Sequence, residues 1–223
     1  MKRPFLILLA YVLLINSATA QIPDSFGNIS EEIPDIILEV RYASNDNFMG
    51  RVVNGYSIPK VVLTKKALKA LKNAQAEFKR LGYCIKVFDA YRPQRAVDDF
   101  MQWINVENDT VMKQNYYPQL DKKKLIPQGY IAEKSGHSRG STLDLSLIYL
   151  DVEKKGKEVD MGGSWDFFGE RSHYDYPEIS LKQKENRALL QKIMIKHGFL
   201  PYAEEWWHFT LAEEPFPNKY FDF

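Results

Sequence analysis

The sequence predicts an α+β fold, a single compact domain in which a small, mainly antiparallel sheet is flanked by helices. Three observations predict it. Two long helical patterns carry clear start and stop signals, and apolar runs of strand length lie between and after them. Strands and helices interleave without the regular strand–helix–strand beat of a doubly wound parallel sheet. The chain of 223 residues is long enough for one domain with a substantial core and short for two.

The first twenty residues, MKRPFLILLAYVLLINSATA, read as a signal peptide. Lys2 and Arg3 precede an apolar run from Phe5, and Ala18-Thr19-Ala20 supplies a small-x-small cleavage site. The run is shorter than the ~20 residues that span a bilayer, which disfavours a retained anchor. The mature chain begins near Gln21 and is exported. The full chain has a formal net charge of +1, which becomes −1 with the loss of Lys2 and Arg3 (28 − 29). No basic excess points to nucleic acid, and no second apolar stretch suggests insertion in a membrane. Cys84 is the single cysteine. An internal disulfide is therefore excluded, and its place in the apolar run YCIKVFD makes it a core residue.

Residues 21–35, polar with two prolines, read as a flexible lead-in, and residues 36–223 as the domain. Thr64 is placed to cap a helix in which Leu68, Leu71, Phe78 and Leu81 keep helical spacing, ended by Gly82. A strand over residues 83–89 follows. Pro93 suits the first turn of a second helix, RPQRAVDDFMQWI. Residues 142–150 read as a strand. Ser180 and Gln183 have capping-box spacing for a helix that reaches Lys196-His197 and stops at Gly198. A last strand covers residues 206–211. The connections over 105–135 and 151–180 are long, and long connections in compact domains are often functional.

Four histidines can be sorted by context. His197 sits in the last turn of a helix, where its charge suits the dipole. His173 lies in a polar loop and reads as a surface or supporting residue. His137 is flanked by Ser135, Gly136, Ser138 and Gly140, where the backbone can turn sharply. In the strand that follows, Leu143, Leu145 and Leu147 alternate to one face and leave Asp144 and Ser146 on the other. His208 stands in a second apolar strand, EEWWHFTL, three residues after Glu205. Two histidines and an aspartate, with a glutamate beside one of them, are the parts of a catalytic zinc site with a fourth position for water. A buried, metal-free His–Asp pair is the alternative. Residues three apart in an ideal strand face opposite sides, so Glu205 must precede the strand proper or sit at a kink. Arg92, where a strand gives way to a helix, reads either as a surface ion pair with Asp89 or Asp98 or as a cation facing oxyanion charge.

The segments RYASNDNFMGRVVNGY, DAYRPQRAV, FMQW, SGHSRGSTLDLSL, MGGSWDFFGERSH, EEWWHF and EPFPNKYFDF together resemble the VanX-type D-alanyl-D-alanine dipeptidases. These are zinc peptidases related to D,D-carboxypeptidases and to the hedgehog fold. The resemblance covers residues 40–223. It implies one Zn2+ per subunit held by His137, Asp144 and His208, with Glu205 as general base and Arg92 stabilising the tetrahedral intermediate. Asp166 and Tyr42 match positions that hold the substrate ammonium, and Ser135 and Tyr56 match positions near its carboxylate. Gly163-Ser164-Trp165 departs from the usual residues ahead of Asp166, which bears on pocket width near the ammonium. The signal segment also departs, since the best-known relatives act in the cytoplasm. The expectation is an exported, periplasmic dipeptidase that splits D-Ala-D-Ala from cell-wall material. The alternatives are a zinc D,D-carboxypeptidase trimming peptidoglycan stems and a non-catalytic zinc or peptidoglycan-binding module. Glu205 and Arg92 argue against the last, because a binder needs neither. The sequence sets no oligomeric state.

Overall fold

The structure is a computed structural model that describes residues 21–57 and 60–223; the expected signal segment, residues 1–20, lies outside them. In chain order the elements are β1 (Phe26–Asn28), α1 (Ile29–Glu32), β2 (Ile37–Leu38), β3 (Val62–Thr64), α2 (Lys65–Arg80) and β4 (Tyr83–Asp89). There follow α3 (Gln94–Asn105), the short α4 (Lys113–Tyr116) and α5 (Lys122–Leu125), β5 (Thr142–Tyr149), α6 (Leu181–Lys196), β6 (Phe199–Tyr202) and β7 (Glu205–Leu211). Five strands form one sheet in the order β2-β4-β5-β7-β6, and β1 pairs with β3 in a separate ribbon. Only β2 runs parallel to its neighbour; β4, β5, β7 and β6 pair antiparallel. This is the α+β architecture that the sequence predicts.

Local chemistry explains where the elements begin and end. The Thr64 hydroxyl accepts from the Ala67 amide at 3.4 Å and opens α2, and Gly82, at φ +85°, turns the chain out into β4. Leu68, Leu71 and Phe78 lie on the buried face of α2. Ser180 and Gln183 complete both halves of the capping box at the start of α6. His197 ends that helix and pairs through Nε2 with Glu77 of α2 at 2.8 Å, so the two long helices are tied together at this end. Pro93 is the cap before α3 rather than its first residue. Cys84 is buried, as expected, and its thiol donates to the Asp35 carbonyl at 3.1 Å.

The lead-in is more ordered than its polar composition suggests. Phe26–Asn28 pairs with Val62–Thr64, the Asn28 side chain caps α1, and Phe26, Ile29 and Ile33 are buried. Their spacing lets a short segment bury three large side chains, and the intervening polar residues and two prolines conceal it. Gly140 shows how closely this segment approaches the rest. It adopts φ +79°, and a Cβ there would meet Phe26 Cε1 at 2.1 Å. Only glycine satisfies both demands.

β5 is the centre of the sheet. Leu143, Leu145 and Leu147 are fully buried on one face, and Asp144 and Ser146 are buried on the other. The long connections over 105–135 and 151–180 fold over that second face. Beneath them lies an aromatic group in which Phe48 meets Phe100 and Trp103 at 4.9 Å and Phe168 at 5.1 Å between ring centres.

Candidate active site

β5 carries Asp144 between two strands, and the register aligns the neighbours. Asp89 of β4 and His208 of β7 lie directly opposite Asp144. His137 arrives from a 3-10 turn, Gly136–Arg139, that runs into β5. The turn is opened by Ser135, whose hydroxyl accepts from the His137 amide at 3.2 Å. The His137 ring is fixed from behind, because Nδ1 donates to the Ala90 carbonyl at 2.8 Å. A carbonyl can only accept, so Nδ1 carries a proton and Nε2 is the nitrogen that faces inward.

His137 Nε2, His208 Nδ1 and Asp144 Oδ1 form a nearly equilateral triangle. The separations are 3.4 Å between the two nitrogens, 3.3 Å from His137 to Asp144 and 3.1 Å from His208 to Asp144. A tetrahedral zinc site with bonds of about 2.0–2.1 Å has ligand-to-ligand edges of about 3.4 Å. Asp144 is 2% exposed, and Oδ1 is buried without a hydrogen bond. A buried carboxylate oxygen left in this state calls for a cation. These three residues therefore fit a zinc ion, and among the described residues they are the group so placed.

The electrostatics agree. Burial opposes ionisation of Asp144, but the flanking His137 and His208 rings hold its carboxyl well below the usual range. Burial likewise opposes charge on His208, and Asp144 and Glu205 override it, raising the imidazole to about 9. The second oxygen of Asp144 is held by the indole N–H of Trp165 at 3.2 Å. Trp165, one of the residues that departs from the usual pattern, thus orients a candidate ligand. The signal available in the sequence was a tryptophan in a polar loop, whose N–H needs an acceptor once buried.

Glu205 reaches the same centre by an irregularity in the hairpin. Pro201 pairs with Phe209, yet the next residue of β6, Tyr202, pairs with Glu205. The extra β7 residues bulge, and the alternation that would send Glu205 and His208 to opposite faces is broken. Glu205 Oε2 lies 3.3 Å from His208 Nδ1. The kink required on sequence grounds is present.

Arg92 forms a buried ion pair, not a surface one. Its Nε donates to Asp89 Oδ2 at 2.9 Å, Nη2 is 3.8 Å from Asp144 Oδ2, and the guanidinium lies over the rings of Tyr42 and Phe100 at 5.1 and 5.3 Å. Burial disfavours its charge, but the Tyr42 and Asp89 groups around it raise its pKa well above the ordinary value. Asp89 is pushed up by burial, against the pull of Arg92 and His137.

These groups open into a cavity of about 270 Å³, at the small end for ligand sites. Its lining includes Tyr42, Arg92, Ser135, Asp166 and Glu205 beside the three candidate ligands. The Tyr42 hydroxyl donates to both Asp166 oxygens, at 3.1 and 3.0 Å. Asp166 adopts φ +64°, an uncommon backbone state for a residue with a side chain. The loop around it is held by the buried Arg187 of α6, which donates to the carbonyls of Met161, Arg171 and His173 at 2.6, 2.9 and 2.6 Å. Burial raises the Asp166 pKa well above the usual carboxylate value, with Arg92 pulling the other way. Tyr56 is placed differently from the other expected site residues. It does not line the cavity; its hydroxyl donates to Asp89 Oδ1 at 2.7 Å, so it steadies the partner of Arg92. His173 accompanies the site at one remove, with Nε2 3.1 Å from the hydroxyl of the cavity residue Tyr130.

The M15 peptidase family, described as D-ala-D-ala dipeptidase, matches residues 25–223. The D-alanyl-D-alanine dipeptidase of Enterococcus faecalis is 42% identical over 200 residues, covering 90% of this chain and 98% of that protein. The enzymes of the same name from Enterococcus faecium and Streptomyces coelicolor are each 41% identical over 198 residues, covering 89% of this chain and 96% of theirs. Among solved structures, a vancomycin-resistance D,D-pentapeptidase, VanY, in complex with Zn(II) aligns with a TM-score of 0.40 at 11% identity, over 70% of this chain and 76% of that one.

Proposed function

The chain belongs to the M15 family of D-Ala-D-Ala dipeptidases, a metallopeptidase family, and from that premise we propose that it is an exported zinc enzyme that hydrolyses D-Ala-D-Ala to two molecules of D-alanine. His137, Asp144 and His208 would hold the metal. Zinc at such a site supplies a Lewis acid that lowers the pKa of a bound water towards about 7 and polarises a carbonyl.

The chain's own residues account for the remaining steps. Glu205, beside His208, takes the proton of the attacking water and delivers it to the leaving amine. Arg92 keeps its charge and, fixed by Asp89, faces the oxygen on which negative charge builds during attack. An interaction that strengthens only along the reaction path lowers the barrier.

The observation that carries the substrate assignment is Asp166. It is 6% exposed, it is contacted by a tyrosine hydroxyl, and among the described residues it forms no ion pair. Burial pushes its pKa up, so the charged carboxylate is favoured only with a cation beside it, and the free amino group of a dipeptide supplies one. A stem peptide extended at that end brings an amide instead, leaving the carboxylate without a counter-charge.

Asp166→Ala tests the assignment. The expected result is a fall in kcat/KM for D-Ala-D-Ala of about a hundredfold, in line with losing a buried charge-assisted contact, and a smaller fall for N-acetyl-D-Ala-D-Ala. Unchanged kcat/KM for the free dipeptide removes the role from Asp166, and faster hydrolysis of a pentapeptide stem by the wild type favours a D,D-carboxypeptidase. Residues 1–20 support a periplasmic location, where the enzyme would recover D-alanine from cell-wall fragments. Among the described residues no helix is long and apolar enough to cross a membrane.

A further inference from the structure

We infer that Lys134 is the cation that receives the substrate's C-terminal carboxylate, beside Ser135, which the family resemblance already implies near that carboxylate, so that the cavity matches both charges of a zwitterion. The inference rests on the dipeptidase reading.

A free dipeptide carries two charges into the cavity. Its ammonium has Asp166, and its carboxylate, once stripped of water, also needs a cation or several donors. The cavity lining contains two basic side chains, Arg92 and Lys134. Arg92 is committed: Nε is bonded to Asp89 at 2.9 Å, and its charge faces Asp144 at the bottom of the site. Lys134 is exposed and has no carboxylate partner among the described residues. The contact it makes is with a ring, its Nζ lying 5.4 Å from the centre of Tyr220. A lining lysine without an anion of its own is the counterpart of Asp166, a lining carboxylate without a cation.

The two groups come from different segments of the chain. Asp166 comes from the connection between β5 and α6. Lys134 and Ser135 directly precede the turn that bears His137, so a carboxylate held there lies beside the candidate metal ligands. The Ser135 oxygen already accepts from the His137 amide, which leaves its hydroxyl hydrogen to donate into the cavity. Tyr220, whose ring faces the Lys134 ammonium, belongs to a tail that is itself pinned. Phe221 donates its amide to the Ser138 carbonyl at 2.8 Å, and Arg95 bonds Asp222 through its backbone N and Nε at 3.0 and 2.8 Å. The C-terminal tail therefore sets where Lys134 can reach. A flexible ammonium with three donors also suits a carboxylate that arrives from water and departs with the product.

The test compares D-Ala-D-Ala with its C-terminal amide, using zinc-loaded wild type and Lys134→Ala. Lys134 is exposed, so the substitution leaves the fold intact, and equal melting temperatures check this. The expected result is a strong preference of the wild type for the free acid and a fall of at least tenfold in the acid-to-amide ratio of kcat/KM in Lys134→Ala. A ratio unchanged by the substitution, or a wild type indifferent to amidation, overturns the role of Lys134 while leaving the dipeptidase reading in place. A wild type that hydrolyses neither compound overturns the dipeptidase reading and, with it, the carboxylate site.

Discussion

Glu205→Gln lowers kcat/KM for D-Ala-D-Ala by about 10³-fold or more while leaving zinc content unchanged. Positioned proton transfer contributes about 10²–10⁴ to a rate, and here one carboxylate serves both the attack and the departure of the amine. Glutamine matches glutamate in size and can keep the contact with His208, 3.3 Å away in the native chain, but it cannot accept a proton. The loss should therefore appear in kcat rather than in KM, since the interaction is made along the reaction path. Steady-state kinetics on protein of measured zinc content decides it. Activity within tenfold of the wild type would remove Glu205 from proton transfer.

Replacement of Arg92 has two separable consequences. Arg92→Ala removes the group facing the oxyanion, for which a loss of about 10²–10³ in kcat is typical. It also strands Asp89, which is 1% exposed and keeps Tyr56 as its hydroxyl donor. Breaking a buried pair from one side costs about 3–5 kcal/mol, so the melting temperature should fall as well. Arg92→Lys separates the two, because it keeps a cation near Asp89 but lacks the fork whose Nε meets Asp89 while Nη2 reaches toward Asp144. The expectation is a kcat down by about a hundredfold with most of the stability retained. A lysine variant as active as the wild type would show that charge alone suffices and that the guanidinium geometry is not used.

How much of this was legible in the sequence follows from the range of the interactions involved. Helix ends were readable because the Thr64 and Ser180 caps act within three residues, and β5 because its leucines alternate. His137, Asp144 and His208 were legible as a candidate metal group, with a metal-free His–Asp pair as the alternative, because two histidines and an aspartate stand in or beside apolar strands. Their closeness was not, because it depends on a register that sets Asp144 opposite His208 and on a His137 ring held by the Ala90 carbonyl. The side on which Glu205 lies could be stated only as a requirement, since a bulge between β6 and β7 is a property of the pair and not of either strand. Arg92 could be read either as a surface ion pair or as a cation facing the site, because its burial depends on Tyr42, distant in sequence, and on how α3 packs Phe100 against it. Tyr56 was expected in the pocket and sits behind Asp89, a difference of one side-chain layer that no pattern along the chain encodes. The roles of Trp165 and Lys134 likewise depend on which loops fold over the site face of the sheet.

The central claim is that this chain hydrolyses D-Ala-D-Ala with a metal held by His137, Asp144 and His208. Release of D-alanine from D-Ala-D-Ala by the zinc-loaded protein, with and without a chelator, tests it most directly. The account predicts stereospecific release that the chelator abolishes and added zinc restores. Folded, zinc-loaded protein that releases no D-alanine, or release that persists after the metal has been removed, would contradict it.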